Sequence, residues 1–300
     1  MKKYDNLDNL IKREDVKNSG IINFLKPVGM TSSDAVVIVK RTLKADKVGH
    51  LGTLDPLASG VLPIAYGKCT SLFDLFLNKE KQYRAFFDFS YSTDTFDNDG
   101  EITAKSDKII TREDILAVLP KFLGKIEQIP PKFSAKSIGG VRAYKLARKD
   151  EDFEIAPSTV EIYDITLVEQ YSKCGFVFDI TCSAGTYIRS IARDLGQELG
   201  ACGTMTALIR LKSGQFEIEN SITQEELQGK KQDTAVFAED AVDFLEKIEI
   251  LDKKRAYYLI NGINYSTEKP DGKYRLYLMG QFYGIITVEN NTTGKIVKLV

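Results

Sequence analysis

The residues best suited to chemistry fall in one stretch, Gly49-His50-Leu51-Gly52-Thr53-Leu54-Asp55-Pro56-Leu57-Ala58-Ser59-Gly60-Val61-Leu62-Pro63. Its three glycines and two prolines rule out one regular helix or strand throughout. Glycine supplies positive φ or close approach, and proline fixes φ and removes a donor. Asp55 precedes Pro56, which biases it towards extended backbone. A stiff, glycine-flanked loop presenting one carboxylate suits a nucleophile or a base. The same residues also make a helix start, with Asp55 as N-cap and Pro56 at N1, and the local sequence alone favours that plainer reading. His50 is the only histidine, and an isolated histidine is more often structural than chemical. Far along the chain, Arg189 falls in the first turn of an expected helix, where the macrodipole disfavours a cation. A carboxylate partner would account for it, and Asp55 is the natural candidate; a solvated arginine is the alternative. Tyr83 and Tyr187, taken singly, read as packing residues.

The elements that must hold these side chains can be traced from N- to C-terminus. Residues 1–19 form a flexible polar tail. Ile21 to Leu25 is a short apolar strand, and Thr31 to Asp34 offers N-caps for a helix through Val36, Val39 and Leu43. Tyr83 to Tyr91 alternates as a strand, Asp97-Asn98-Asp99-Gly100 turns, and Ile102-Thr103-Ala104 returns as its partner. Thr111 to Asp114 has the form of a capping box. A basic stretch follows, with Lys121, Lys125, Lys132, Lys136, Arg142, Lys145, Arg148 and Lys149 against the single acid Glu127. It is expected to begin as a loop around Gly139-Gly140 and to end helically at residues 143–148. Val160 to Val168 and Cys174 to Cys182 are β-rich. From Tyr187 the period turns helical, with Ile188, Ile191, Leu195 and Leu199 aligned until Gly200 stops the helix. Met205 to Leu211 is a further apolar run, and Thr223 caps a last helix of this part. After residue 244 the texture becomes that of a small all-β domain, with Ala256 to Ile260 read as one of its strands.

Composition narrows the function. Three hundred residues with 43% hydrophobic and 28% charged side chains describe an ordinary globular chain. No apolar run is long enough to span a bilayer, and the charged N-terminus lacks a signal-peptide core, so a cytoplasmic location is expected. Four scattered cysteines and one histidine make a zinc site improbable on spacing, and no metal is expected. Neither a P-loop nor a dinucleotide fingerprint occurs, so no cofactor is indicated. A net charge of −1 argues against nucleic acid wrapping the whole surface while leaving room for the local basic segment.

Taken together, five blocks resemble the TruB-type bacterial tRNA pseudouridine-55 synthases. They are Leu25-Lys26-Pro27-Val28-Gly29-Met30-Thr31-Ser32; Gly49-His50 through Leu62-Pro63; Lys81-Gln82-Tyr83-Arg84 with Thr93-Asp94-Thr95 and Asp97-Asn98-Asp99-Gly100; Gln128-Ile129-Pro130-Pro131 with Phe133-Ser134-Ala135; and Cys182 through Ser190 with Asp194-Leu195-Gly196. The resemblance implies an α+β pseudouridine synthase fold, with a long mixed, mainly antiparallel sheet flanked by helices and a small C-terminal PUA-like β domain. It divides the chain into a catalytic domain at 20–244, with a basic RNA-clamping insertion near 130–150, and the small domain at 245–300. By the same resemblance Asp55 is the catalytic carboxylate, held by a bidentate Arg189. Tyr83 stacks on the target uracil and removes the late proton from C5. Tyr187 and Leu208 line the uridine pocket, His50 contacts nucleotides around the vacated stack, and Lys132 and Arg142 grip the backbone. The partner implied is the T-arm of tRNA, met by a monomer with no obligatory protein partner.

Three departures mark where backbone contacts differ from the family pattern. Phe133 stands where tyrosine is common, Lys136-Ser137 replaces an apolar-lysine order, and Ile209 stands where a second arginine often sits. Two rival functions remain. One is a tRNA-binding or folding protein without catalysis, which retention of Asp55, Tyr83 and Arg189 disfavours. The other is a glycoside hydrolase, which ordinarily needs two carboxylates flanking the bond, where the key loop offers one.

Overall fold

The apolar runs pair into one long sheet whose centre brings the two halves of the chain together. A computed structural model describes residues 18–134, 136–147, 149 and 153–299, with positions 142, 144 and 145 described by backbone alone. In chain order the main elements are β1 (Gly20–Lys26), α1 (Ser32–Leu43), β2 (Val48–His50), β3 (Ser59–Tyr66), β4 (Lys81–Asp88), β5 (Gly124–Gln128), β6 (Ser158–Gln170), β7 (Gly175–Cys182), α2 (Ile188–Glu198), β8 (Thr204–Ser213) and β9 (Val236–Phe237). The sheet order is β9-β1-β3-β8-β4-β7-β6-β5, with β2 hydrogen-bonded to β3 off that path. Every pair along it is antiparallel except β3 with β8, which meet in parallel at Ile209–Ser59 and Arg210–Gly60. This is the mixed, mainly antiparallel α+β sheet expected.

Local chemistry explains the helices that flank it. Thr31 and Asp34 make a reciprocal capping box at the start of α1, and Ala35, Val39 and Leu43, spaced by four, bury its inner face. Thr111 with Asp114 does the same for the helix Arg112–Val118, and Thr223 with Glu226 for Gln224–Lys230. Ile102–Lys105 does return antiparallel after the turn, but to the separate short strand Tyr91–Thr93 and not to β4, whose two sides are taken by β7 and β8. In the basic segment Gly139 and Gly140, both at positive φ, turn a short hairpin of Ser137–Ile138 with Val141–Arg142, and the helix Ala143–Ala147 follows.

Two expectations need correction. The tail drawn at 1–19 lies outside the described residues through position 17, but Ser19 is buried and its hydroxyl accepts from Lys68 N at 3.0 Å. The C-terminal part is not all β. Residues 256–260, read as a strand, belong to helix α3 (Lys253–Ile260), whose start is capped by the Asp252 side chain accepting from Arg255 N. The aromatic run misled because Ala256 and Leu259 alone are buried, at helical spacing, while Tyr257 and Tyr258 lie along the rim. Around α3 stands a second sheet of β10 (Lys247–Ile250), β11 (Gly272–Leu278), β12 (Gln281–Glu289) and β13 (Thr292–Lys298), in that order. Its apolar face has no core of its own. Ile248, Leu276, Phe282 and Ile286 share one buried cluster with Ile21 and Val61 of the main sheet, with Leu51 just after β2 and with Phe76 of the short helix Phe73–Leu77.

Candidate active site

The loop between β2 and β3 is held from several directions. Ser32 at the start of α1 donates to Leu54 O and accepts from Leu54 N, both at 2.9 Å. Gly29 N donates to Pro56 O at 2.8 Å. Lys26, fully buried, spends its ammonium on the carbonyls of Pro27 at 2.8 Å, Met30 at 2.7 Å and Pro56 at 3.5 Å. Burial lowers this amine from 10.5 to about 8, with the Asp55 charge pulling it back upwards. No helix follows Asp55: Ala58 N donates to Asp55 O at 3.1 Å, a single turn, and β3 begins. The carboxylate therefore does not cap a helix.

It meets Arg189 instead. Asp55 Oδ2 lies 2.9 Å from Arg189 Nη2, with the aspartate side chain 37% exposed and the arginine 7%. The contact is not the bidentate one expected, because the guanidinium serves two carboxylates. Its Nη1 stands 3.2 Å from Asp97 Oδ2, and the two nitrogens also donate to Thr95 O at 3.2 Å and Phe133 O at 3.0 Å. The two acids differ in setting. Burial pushes the Asp97 carboxyl up, opposed by the Thr95 hydroxyl, Arg189 and the Asp99 amide. Asp55 is the member of the pair that opens to the cleft. A cation in the first turn of α2, awkward for the helix dipole, is thus compensated by acids from two other segments.

Tyr83, on β4, is buried beside the same cleft. Burial raises its phenol, and the neighbouring Arg210 guanidinium acts against that rise by charge and hydrogen bond. Arg210 itself, on β8, is 1% exposed. Its Nε donates to Val61 O at 2.7 Å, Nη1 to Thr53 O at 3.1 Å and Nη2 to Gly52 O at 3.3 Å. One side chain thereby ties the Asp55 loop to the strand beside Tyr83. Tyr187 is fixed through its backbone, since the fully buried Gln128 amide accepts from Tyr187 N at 2.8 Å and donates to Tyr187 O at 3.1 Å.

A cleft of about 640 Å³ opens among Asp55, Tyr83, Tyr187, Arg189 and Leu208, a volume in the range that takes a nucleoside-sized ligand. Of the residues singled out in the sequence, those five converge. The others stand apart. His50 sits on β2 opposite Ile64, with Nδ1 buried and without a hydrogen-bond partner and its imidazole pushed down by burial and by Arg210. Lys132 is exposed, its ammonium 5.8 Å from the Phe153 ring centroid. The Arg142 side chain lies outside the described residues, as do Ala135 and Arg148. From the basic segment, Phe133 and Ser134 reach the cleft. Among the described residues no group of three or more His, Cys, Asp or Glu is placed to hold a metal.

Sequence reasoning did not single out Lys26, Asp97, Gln128 or Arg210. Lys26, Asp97 and Gln128 stand inside blocks quoted above and Arg210 inside the apolar run 205–211, yet none advertises itself, because its importance lies in what it binds across the sheet. The one available signal was a charged or amide residue within an otherwise apolar strand, as at Lys26 and Arg210.

Comparison with known proteins bears on this geometry. Residues 40–188 match the family model described as TruB family pseudouridylate synthase, N-terminal domain. Residues 189–248 match the model described as tRNA pseudouridylate synthase B C-terminal domain. A tRNA pseudouridine synthase B of Clostridium perfringens is 40% identical over 268 residues, covering 86% of this chain and 91% of that protein. One from Clostridium tetani is 38% identical over 291 residues, covering 94% and 99%. Among solved structures, a Cbf5-Nop10-Gar1 complex superposes with a TM-score of 0.69 at 25% identity, covering 95% of this chain and 84% of that one. An H/ACA RNP bound to a substrate RNA containing 2′-deoxyuridine shares the fold with a TM-score of 0.68 at 24% identity, covering 95% and 84%.

Proposed function

We propose that this chain, which belongs to the TruB family of pseudouridylate synthases, isomerises uridine 55 in the T-loop of tRNA to pseudouridine. The observation that carries the reading is the Asp55–Arg189 pair opening onto the cleft beside Tyr83. The chemistry balances within one nucleotide: the N1–C1′ bond breaks, the uracil turns, C5 bonds to C1′, and the C5 proton leaves for N1. An ionised aspartate can serve as the nucleophile or base that starts this sequence. Arg189 holds it in place and aimed. Tyr83 stacks on the uracil and takes the last proton. A free phenol with a pKa near 10 is a poor base at neutral pH; burial raises the Tyr83 phenol further, and the Arg210 cation beside it works against that rise. Arg210 and Asp97 act as positioning residues, the first on the catalytic loop and the second on Arg189. Tyr187 and Leu208 form the walls of the uridine pocket.

The target base is buried in a folded T-loop, so it must be flipped outwards, and the apolar and aromatic cleft wall offsets lost stacking. Lys132 and Arg142, on the basic segment beside the cleft, supply phosphate contacts that give affinity without sequence information. His50 contacts the nucleotides left around the gap, and the C-terminal sheet, a PUA-like element in this reading, extends the tRNA contact. The enzyme works in the cytoplasm as a monomer. No helix of the described residues is long and apolar enough to cross a membrane.

The test is tritium release from 5-tritiated uridine in a tRNA transcript. Wild type should release one tritium per tRNA, Asp55→Asn should fall to background, and a transcript carrying cytidine at position 55 should release none. Binding without release would leave a tRNA-binding protein in place of an enzyme. Release from the position-55 variant would move the target elsewhere.

A further inference from the structure

Phe96 holds a backbone conformation that its residue type rarely takes. Its φ is +61°, in the left-handed region, where a bulky side chain is an outlier. Strain of this kind persists only where the surroundings over-determine it. Phe96 N donates to Thr93 O at 3.2 Å, and Phe96 O accepts from Met205 N at 3.0 Å. The turn so fixed presents the groups on either side of Phe96 to one guanidinium: Thr95 O accepts from Arg189 Nη1, and Asp97 Oδ2 stands 3.2 Å from the same nitrogen. A second arginine closes on the turn from outside. Arg193 lies one turn after Arg189 on the same face of α2, with its side chain 15% exposed. Its guanidinium carbon stands 4.9 Å from the centre of the Phe96 ring, while Nη2 donates to Ile129 O at 3.1 Å and Nε to Asp194 Oδ1 at 2.7 Å. Arg189 draws its carbonyl acceptors from the 95–97 turn and from Phe133. Arg193 therefore grips the same two segments, the turn through the Phe96 ring and the 129–133 segment through a carbonyl.

We propose that Phe96 and Arg193 are positioning residues that together aim Arg189 and, through it, the Asp55 carboxylate. This rests on the reading of Asp55 as the reacting carboxylate. The Arg189 guanidinium can reach Asp55, Asp97, Thr95 O and Phe133 O at once only while three separate segments keep their relative places. Arg193 ties two of those segments to a fixed point one turn further along the same helix. The left-handed backbone at Phe96 sends the ring towards Arg193 while the Thr95 carbonyl and the Asp97 carboxylate stay directed at Arg189. A different backbone angle at Phe96 re-aims one of them. The clasp also needs an arginine, because a planar face must lie on the ring while the edge of the same group donates elsewhere; a lysine ammonium has neither plane nor fork.

Single-turnover tritium release, tRNA affinity by filter binding and melting temperature, measured on Phe96→Gly, Phe96→Tyr, Arg193→Met and Arg193→Lys, decide the point. Phe96→Gly removes the ring and the backbone penalty together, so its melting temperature should stay near that of wild type. Its rate at saturating enzyme should nevertheless fall by about 10- to 100-fold, the scale of a misplaced reacting group, with tRNA affinity unchanged. Phe96→Tyr keeps the ring and should keep the rate. Arg193→Lys keeps the charge alone and should fall as far as Arg193→Met. Phe96→Gly combined with Arg193→Met should lose no more than the larger single loss, because either change opens the same clasp. Nitrogen NMR reads Arg189 directly: its two Nη signals, held apart by hindered rotation in wild type, should merge in Phe96→Gly and in Arg193→Lys. A wild-type rate in Arg193→Lys beside lost affinity in Arg193→Met would make Arg193 a phosphate contact and overturn the assignment. So would rates that fall only in step with melting temperature, or Arg189 signals that stay apart in the variants. A wild type that releases no tritium would sink the isomerase reading alone, since the Arg189 signals still report whether the clasp orients that side chain.

Discussion

Arg189 carries one charge and faces two carboxylates, and that arithmetic sets its expected sensitivity. Removing one partner of a buried pair leaves the other desolvated and unmatched, at a cost of about 3–5 kcal/mol. Arg189→Ala should therefore lower stability by about that much and, with Asp55 no longer held, reduce turnover far more than tRNA affinity by filter binding. Equal losses of turnover and affinity would make Arg189 an RNA contact. Lys26 makes a prediction in pH. Its folded pKa of about 8 lies below the ordinary amine value of 10.5, so between these values the unfolded chain binds more protons than the folded one. Stability contributed through this group therefore rises as pH rises from about 8 to 10.5, and it is lowest below 8. Lys26→Met lacks the effect, so the gap between wild type and variant in urea midpoint should widen across that window. A constant gap would mean that the amine is not desolvated in the folded protein.

Between residue and molecule, the parallel junction of β3 with β8 governs the site. Gly60 sits in it at φ +108°, and a Cβ there would fall 2.3 Å from Arg210 O. Backbone cannot move aside as a flexible side chain could. Gly60→Ala should therefore combine strain of about 1–3 kcal/mol with separation of the strand that carries Arg210. Both the denaturation midpoint and kcat should drop, whereas Gly52→Ala, with no atom within 4 Å, should cost less in stability. An equal loss in the two variants would show that the junction is not tight. The elements around this junction were legible in the sequence to different degrees. Strand alternation around Tyr83, the N-caps from Thr31, the capping box at Thr111 and the period from Ile188 to Leu199 rest on neighbours in the chain and could be read directly. The parallel pairing, the split of Arg189 between two acids and the role of Arg210 depend on residues far apart in sequence, which no local pattern encodes. Residues 256–260 failed for another reason. Tyrosines favour strands by propensity, and only the Asp252 cap, one turn upstream, reveals the helix.

At the scale of the whole chain, the C-terminal sheet and the catalytic sheet share one apolar cluster, in which Phe282 and Leu276 pack with Leu51 and Val61. Leu51 and Val61 flank the Asp55 loop, so the small sheet supports the floor of the cleft. Calorimetry should show a single unfolding transition for the full chain. A chain ended at residue 244 should expose that face and aggregate or melt broadly; a sharp transition in the shortened chain would mean the two parts fold independently. The wiring of the loop also bears on how the protein is made. Arg210 reaches Gly52 across 158 positions of chain, and Arg189 comes almost as late. Ribosomes add about 5–20 residues per second, so for many seconds a nascent chain holds Asp55 outside the exit tunnel with neither arginine yet synthesised. On the reading proposed above, such a chain holds Asp55 without the arginines that fix its loop and its carboxylate, and the site is complete only once Arg189 and Arg210 have been added.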